Sequence, residues 1–174
     1  MIASTRLATP ADAEILASLG RETFIETWVE TFAMGYPPDD LAEYLDKQFD
    51  VAHLEASVSA ADTSWLLATV DGEPAAYVYC GPCGLPHADV IRGNGELKRL
   101  YVRRKYQGSG LGRSLLEASL AWLESRFAGP IWLGVWSGNL KAQKLYRAYG
   151  FIKVGEYDYP VGKSIDREFI FRRG

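Results

Sequence analysis

The chain has 174 residues, the length of a single domain, and 48% of them are hydrophobic, which is enough to build a substantial core without disulfides or metal. Its formal net charge of −3 lacks the positive excess with which proteins bind duplex nucleic acid or anionic membranes. The sequence has no apolar run near the ~18 residues of a membrane span, and no signal-peptide core at its start. We therefore expect one soluble, cytoplasmic domain over residues 1–174 that binds neither nucleic acid nor membrane.

The first part of the chain predicts one short strand and three helices. Thr5 to Ala8 suits the strand. Thr9-Pro10-Ala11-Asp12 then offers an N-cap, a proline at the first helical position and an acid at the third. Two further helices are predicted from about Asp39 to Phe49 and from about Val51 to Ala60.

Aromatic and acidic residues are interleaved around the segment from Phe24 to Tyr44. The aromatic residues include Trp28, Phe32 and Tyr36, and the acids are Glu22, Glu26, Glu30, Asp39 and Asp40. Such a mixture can hold a cationic amine through cation–π contacts and charge. Alternatively, the aromatic side chains pack into the core while the acids face solvent. The candidates for amine binding are Glu26, Trp28, Phe32 and Tyr36.

A hairpin and a pair of cysteines follow. Asp71-Gly72 between Ser64–Val70 and Pro74–Tyr79 favours a type I′ turn. Cys80-Gly81-Pro82-Cys83 matches the C-x-x-C of thiol redox proteins, whose reactive cysteine begins a helix, but Gly84 and Pro86 argue against a helix here. Zinc needs four ligands, and these cysteines with His87 supply three at most. We expect two reduced thiols and no metal, with a disulfide oxidoreductase as an alternative.

The stretch from Glu96 to Arg113 predicts a strand, a glycine-rich turn and the start of a helix that runs to about Phe127. Free N–H groups at a helix start, together with glycines that let a ligand approach, form a site for phosphate oxygens. The spacing excludes a nucleotide P-loop, because Arg113 follows Gly112 where a lysine is required. It also excludes a dinucleotide fingerprint, because the third glycine comes one residue early.

The last part of the chain predicts a strand, a helix and two more strands. Pro130 to Trp136 is nearly all apolar, as in a central parallel strand. Asn139 caps a helix that runs to Tyr149 and is closed by Gly150, and the final strands cover Phe151–Tyr159 and Arg167–Arg172.

Two blocks of this sequence resemble the GNAT superfamily of N-acetyltransferases. The first is Gln107-Gly-Ser-Gly110-Leu-Gly112, which fits Q/R-x-x-G-x-G/A after a strand that ends Leu-Tyr-Val. The second is Asn139-x-x-Ala142-x-x-x-Tyr146 with the exit Tyr149-Gly150-Phe151. The amino-acid sequences of these strands are most similar to those of PaiA-type polyamine acetyltransferases. The resemblance implies an α/β (α+β) fold with a mixed, mostly antiparallel sheet of about seven strands, flanked by helices and holding acetyl-CoA in a V-shaped opening between two central parallel strands.

The resemblance also implies where acetyl-CoA and the catalytic groups lie. Residues that would contact acetyl-CoA are Leu100, Tyr101, Val102, Gln107, Gly108, Ser109, Gly110, Leu111, Gly112, Arg113 and Asn139. Tyr146 occupies the position of the general acid that protonates the thiolate. An amine of pKa ~10.4 is neutral about one time in a thousand near pH 7.4, so deprotonating it costs about 4 kcal/mol and a base is needed. Glu96, at the mouth of the central strand, is the candidate base, and it is expected to act through water because a carboxylate of pKa ~4.3 is a poor direct acceptor from an ammonium.

The predicted function is transfer of an acetyl group from acetyl-CoA to a primary amine, such as a polyamine, by direct attack in a ternary complex. One alternative is acetylation of a protein N-terminus or lysine, which needs an open acceptor groove. Another is a sensor that binds acyl-CoA without turnover. The expected partner is a small amine, and the resemblance also suggests a homodimer.

Overall fold

A computed structural model describes residues 2–174, which form one mixed sheet covered on both faces by helices. The strand order is β1-β2-β3-β4-β5-β7-β6, and each neighbouring pair is antiparallel except β4 and β5, which are parallel. This confirms the expected mixed, mostly antiparallel sheet. The strands are β1 (Ala3–Leu7), β2 (Ser64–Val70), β3 (Glu73–Pro82), β4 (Gly95–Val102), β5 (Ile131–Trp136), β6 (Ile152–Val161) and β7 (Ser164–Arg173).

The helices divide between the two faces of the sheet. They are α1 (Ala13–Phe24), α2 (Pro38–Gln48), α3 (Val51–Ser59), α4 (Leu111–Arg126) and α5 (Leu140–Ala148). The first three pack with Tyr77 of β3, whereas α4 packs on the opposite side with the next residue, Val78. This alternation is the period of two that a strand imposes on its side chains. None of the helices in residues 2–174 is both long enough and apolar enough to cross a bilayer.

Local signals in the sequence account for most element ends. Asp71 and Gly72 both have positive φ, 50° and 85°, as a two-residue type I′ hairpin requires, so that prediction is confirmed. Asn139 Oδ1 accepts a hydrogen bond of 3.0 Å from the amide of Ala142 and begins α5 as predicted. The first helix differs in its start, because Pro10–Asp12 form a 3₁₀ turn and α1 begins only at Ala13.

The sheet opens at its centre, between the two parallel strands. Only Gly95, Glu96 and Leu97 of β4 are paired with β5, where their partners are Ile131–Leu133. A bulge at Lys98 accompanies the separation, because Leu97 and Arg99 lie opposite the consecutive residues Cys80 and Tyr79 of β3. We call the gap beyond Leu97 and Leu133 the opening; it is the predicted V-shaped feature.

Candidate active site

The glycine turn, Gln107–Gly112, presents unpaired amides at the start of α4. Gly108 and Gly110 have φ of 84° and 89°, and a Cβ built on either would meet nothing within 4 Å, so both face open space. The first hydrogen bond of the helix runs from Ser114 N to Gly110 O at 3.1 Å. The amides of residues 111–113 therefore have no partner inside the helix and lie at the positive end of its dipole. This arrangement fits a pyrophosphate.

The surroundings of the turn leave room for a ligand. A cavity of about 400 Å³ adjoins it, lined by Ala3, Thr5, Val70, Ser109, Gly110, Leu111 and Ser114. The Gln107 side chain donates 3.2 Å to the carbonyl of Val102, which ties the turn to the end of β4. Asn139, expected to contact acetyl-CoA, uses its side-chain oxygen to cap α5.

The end of β4 faces both sides of the sheet. Leu100 and Val102 point towards α4, and a Cβ on Gly112 would lie 3.5 Å from Val102, so this glycine allows the helix to approach the strand closely. Tyr101 points the other way, and its hydroxyl accepts 3.0 Å from the indole N–H of Trp28. Beyond Leu97 the backbone of β4 has no pairing with β5, so its polar groups on that side are free for a ligand.

Tyr146 lies on α5 with only 9% of its surface exposed. Its ring contacts Phe151 edge to face, with the ring centres 6.0 Å apart, and no hydrogen bond to its hydroxyl forms within residues 2–174. Burial raises the pKa of this phenol, and the neighbouring Tyr101 and Glu168 add to the rise. The phenol therefore stays protonated at neutral pH and keeps a proton to donate.

Glu96 is already engaged by other groups of the protein. Its Oε2 accepts 2.8 Å from the amide of Gly84 and 2.9 Å from the ammonium of Lys98. It is 8% exposed and belongs to the paired part of β4, before the opening begins. The carboxylate that the sequence predicts to be the base is therefore already paired with the Lys98 ammonium.

Glu168 of β7 is a second buried carboxylate, and the sequence did not single it out. It lies opposite Trp136 of β5 and Tyr157 of β6 and is 8% exposed. It makes no hydrogen bond or ion pair within residues 2–174. Burial, and then the charge of Asp166, raises its pKa to about 8. The sequence did carry one signal for Glu168: it lies two residues before Ile170, and residues two apart in a strand share a face, so an apolar Ile170 indicates that Glu168 also points to a buried face.

Asp166 connects β7 to the segment between α1 and α2. It is 4% exposed and accepts 2.5 Å from the hydroxyl of Tyr36. Burial raises the pKa of Asp166, and the Tyr36 hydrogen bond partly opposes the rise. The contact holds the loop after α1 against the strand that carries Glu168.

Three aromatic rings complete the wall on this side. A π-helical segment, Ile25–Thr31, follows α1 directly. The Trp136 ring lies 5.8 Å from Trp28 and 4.7 Å from Phe32, measured between ring centres. We call these rings with Tyr36, Asp166 and Glu168 the acceptor pocket. Trp28, Phe32 and Tyr36 of the predicted amine site thus come together.

Glu26 does not join them. Its carboxylate accepts 2.8 Å from the backbone amide of Arg104, and Glu30 pairs with the Arg104 guanidinium at 2.8 Å. Glu22 pairs with Arg103 in the same way. These acids are bound by arginines next to the glycine turn, so the carboxylates of the pocket come from β7 instead.

The cysteine pair lies away from any helix start. Cys80 is buried in β3, and burial raises the pKa of Cys80 to about 12 and that of Cys83 to about 11. Thiols with a raised pKa are poor nucleophiles at neutral pH. Within residues 2–174, no three His, Cys, Asp or Glu side chains are arranged to hold a metal ion.

Comparison with known proteins agrees with this geometry. The sequence profile of the acetyltransferase (GNAT) family matches residues 22–151. The PaiA N-acetyltransferase of Thermoplasma acidophilum, solved in complex with coenzyme A, superposes with a TM-score of 0.75 at 20% identity over 99% of both chains. An uncharacterised N-acetyltransferase of Lactobacillus delbrueckii subsp. lactis is 26% identical over 85% of this chain and 86% of its own.

A further relative matches over a shorter region. The spermine/spermidine N(1)-acetyltransferase of Bacillus subtilis is 33% identical over 86 residues, which are 48% of this chain and 57% of that protein. Because the family profile covers most of the sequence and the sheet opens between two parallel strands beside a glycine turn, the chain belongs to the GNAT family of acetyltransferases.

Proposed function

We propose that the protein transfers an acetyl group from acetyl-CoA to the primary amine of a small cationic molecule by direct attack within a ternary complex. One observation carries the proposal. The acceptor pocket lies where β5 has separated from β4, with the buried Tyr146 phenol near its Glu168, and the glycine turn begins the helix that packs on the opposite face of β4. Such a layout brings an amine and a thioester to one point.

The residues divide the work of binding. The amides of residues 111–113 hold the pyrophosphate, helped by the helix dipole. Backbone groups of Leu100–Val102 bind the pantetheine arm, and an N–H there polarises the acetyl carbonyl. When bound, acetyl-CoA supplies the activated acetyl group. Tyr146 donates its proton to the departing sulfur.

The acceptor pocket favours a cation. Asp166 supplies negative charge, Glu168 adds to it as it ionises near pH 8, and the rings of Trp28, Phe32 and Trp136 supply aromatic faces for an ammonium. The partial match to a spermine/spermidine acetyltransferase agrees with the polyamine prediction, which stays a prediction.

Arg99 limits how much positive charge the acceptor can carry. This β4 residue is partly buried over the Phe49 ring, at 5.0 Å, and has no carboxylate partner within residues 2–174. The charge of Arg99 lowers the pKa of Tyr101, whereas the charge of Glu168 raises that same pKa. A second ammonium reaching Arg99 would meet a like charge, so short amines and amino acids belong in the acceptor panel beside polyamines.

The test is thiol release from acetyl-CoA with spermidine, spermine, diamines, amino acids, amino-acid amides and short peptides, each offered separately. Turnover with small amines supports the proposal. Turnover with peptides alone would move the function to protein acetylation. Acetyl-CoA binding without transfer to any of these amines would favour a sensor.

A further inference from the structure

Glu168 differs from the other buried carboxylates in lacking a partner. Asp12 pairs with Arg6 at 2.6 Å, Glu96 pairs with Lys98 at 2.9 Å, and Asp166 accepts from Tyr36. Glu168 makes no hydrogen bond or ion pair within residues 2–174, and its carboxylate oxygens are not among the fully enclosed atoms that lack a partner, so they keep slight contact with solvent. A buried carboxylate without a partner is costly to maintain, and such groups concentrate at functional sites.

The carboxylate lies beside the opening. Its strand pairs with β5 so that Glu168 stands opposite Trp136, whose ring forms the wall of the acceptor pocket. A Cβ built on the neighbouring Gly134 would lie 2.8 Å from the Tyr157 hydroxyl and 3.7 Å from Glu168 Oε2, so the absence of a side chain at Gly134 makes room for this hydroxyl near the carboxylate. After burial, the charge of Glu168 is among the causes that raise the pKa of Tyr146 and of Tyr101. It therefore lies near the phenol that protonates the sulfur.

We infer that Glu168 accepts the proton of the acceptor ammonium and so acts as the base of acetyl transfer, an inference that rests on the proposed function. Glu168 takes one proton from the ammonium, and the neutral nitrogen bonds to the acetyl carbon while the carbon–sulfur bond breaks. Tyr146 gives its proton to the sulfur and regains one from the newly bonded nitrogen through water. Glu168 then releases its proton to solvent, so the products are an N-acetylated amine, coenzyme A and one proton.

The surroundings suit this task. The ionisable groups that face Glu168 are Asp166 on its own strand and the phenols of Tyr36, Tyr101, Tyr146 and Tyr157. Burial and the Asp166 charge raise its pKa to about 8. Proton transfer from an amine of pKa ~10.4 to an ordinary carboxylate of pKa ~4.3 is unfavourable by about 10⁶, whereas transfer to a group of pKa about 8 is unfavourable by only about 10² to 10³.

The experiment compares two acceptors that differ in basicity. One is the best amine of the panel, and the other is its β,β-difluoro counterpart, which is far less basic, so that a large fraction is already neutral at neutral pH and depends little on a base to become a nucleophile. With the basic amine, Glu168→Gln is expected to lower kcat/KM at neutral pH by about 10² to 10⁴. With the fluorinated amine, the loss is expected to be less than about tenfold. Calorimetry should show acetyl-CoA affinity retained, and a thermal unfolding scan should show a folded variant.

The pH profile supplies a second readout. The wild-type rate with the basic amine should rise and level off above about pH 8, whereas the rate of Glu168→Gln should keep rising towards the pKa of the amine. Asp166→Asn should shift the rising part of the pH–rate profile to lower pH, because the substitution removes the negative charge that raises the pKa of Glu168. The asparagine oxygen can still accept the hydrogen bond from Tyr36.

Three results would overturn the inference. An equal loss with both amines would mean that Glu168 only shapes the pocket. If Glu168→Gln kept the wild-type pH–rate profile and Glu96→Gln lost the rise of the rate with pH, the base would be Glu96. Absence of turnover by the wild-type protein with every amine would refute the proposed function and the inference with it.

Discussion

Replacing Glu168 by glutamine should also change how the stability of the protein depends on pH. The pKa of Glu168 rises from 4.5 to about 8 on folding. Between these values the folded protein holds a proton that the unfolded chain releases, so the free energy of unfolding falls as pH rises, by about 1.4 kcal/mol per pH unit. This stability is fully present below about pH 4.5 and is lost by about pH 8, a total of about 5 kcal/mol. Glutamine stays neutral at every pH, so the variant loses none of this stability as pH rises.

The assay is thermal or urea unfolding of the wild-type protein and Glu168→Gln, at several pH values from about 5 to about 9. The two proteins should have similar stability at the acid end. At the alkaline end the variant should be more stable by several kcal/mol, which for a chain of this length raises Tm by about 10 °C or more. Asp166 titrates in both proteins, so the difference between the two curves reports Glu168 together with its coupling to Asp166. Curves that stay parallel over the whole range would show that the buried carboxyl holds no extra proton, and would remove one support for its role as base.

Three further predictions concern the remaining parts of the site. Tyr146→Phe should lower kcat at least tenfold while acetyl-CoA affinity is nearly kept, and a change confined to KM would contradict its role as acid. Gly110→Asp should weaken acetyl-CoA binding, measured by calorimetry, because it adds a strained left-handed residue and a negative charge where phosphate binds; intact binding would move the pyrophosphate elsewhere. Cys80 and Cys83 should react slowly with iodoacetamide at neutral pH and faster as pH rises, because their pKa values are raised to about 12 and about 11; rapid labelling at neutral pH would contradict their burial.

Local sequence signals were enough to predict the structure of the elements proposed to bind acetyl-CoA. The glycine turn, the helix after it and the Asn139 cap depend on residues within a few positions of one another, through positive φ, unpaired amides and a side chain that accepts from the next turn. The same holds for the hairpin at Asp71-Gly72. These features were therefore readable before any tertiary contact was known.

The carboxylates of the pocket could not be assigned in this way. Glu26 and Glu30 resemble amine-binding acids in sequence, but Arg104, more than seventy residues away, takes both of them. Glu96 and Glu168 are equally plausible as strand acids, and only the three-dimensional neighbours show that one has Lys98 and the other has no partner. Which acid is free depends on long-range pairing, and hydrophobic periodicity carries no information about that pairing.

The position of β7 between β5 and β6 also affects how the protein folds. Strand β5 precedes β7 by about thirty residues, so during synthesis the edge of β5 is still unpaired and Trp132 is not yet covered. A chain that stops before Ser164 would expose that edge, where unpaired strands invite association with other chains. The strand that carries Glu168 thus also closes the sheet, so loss of its pairing should reduce the yield of soluble protein before any activity can be measured.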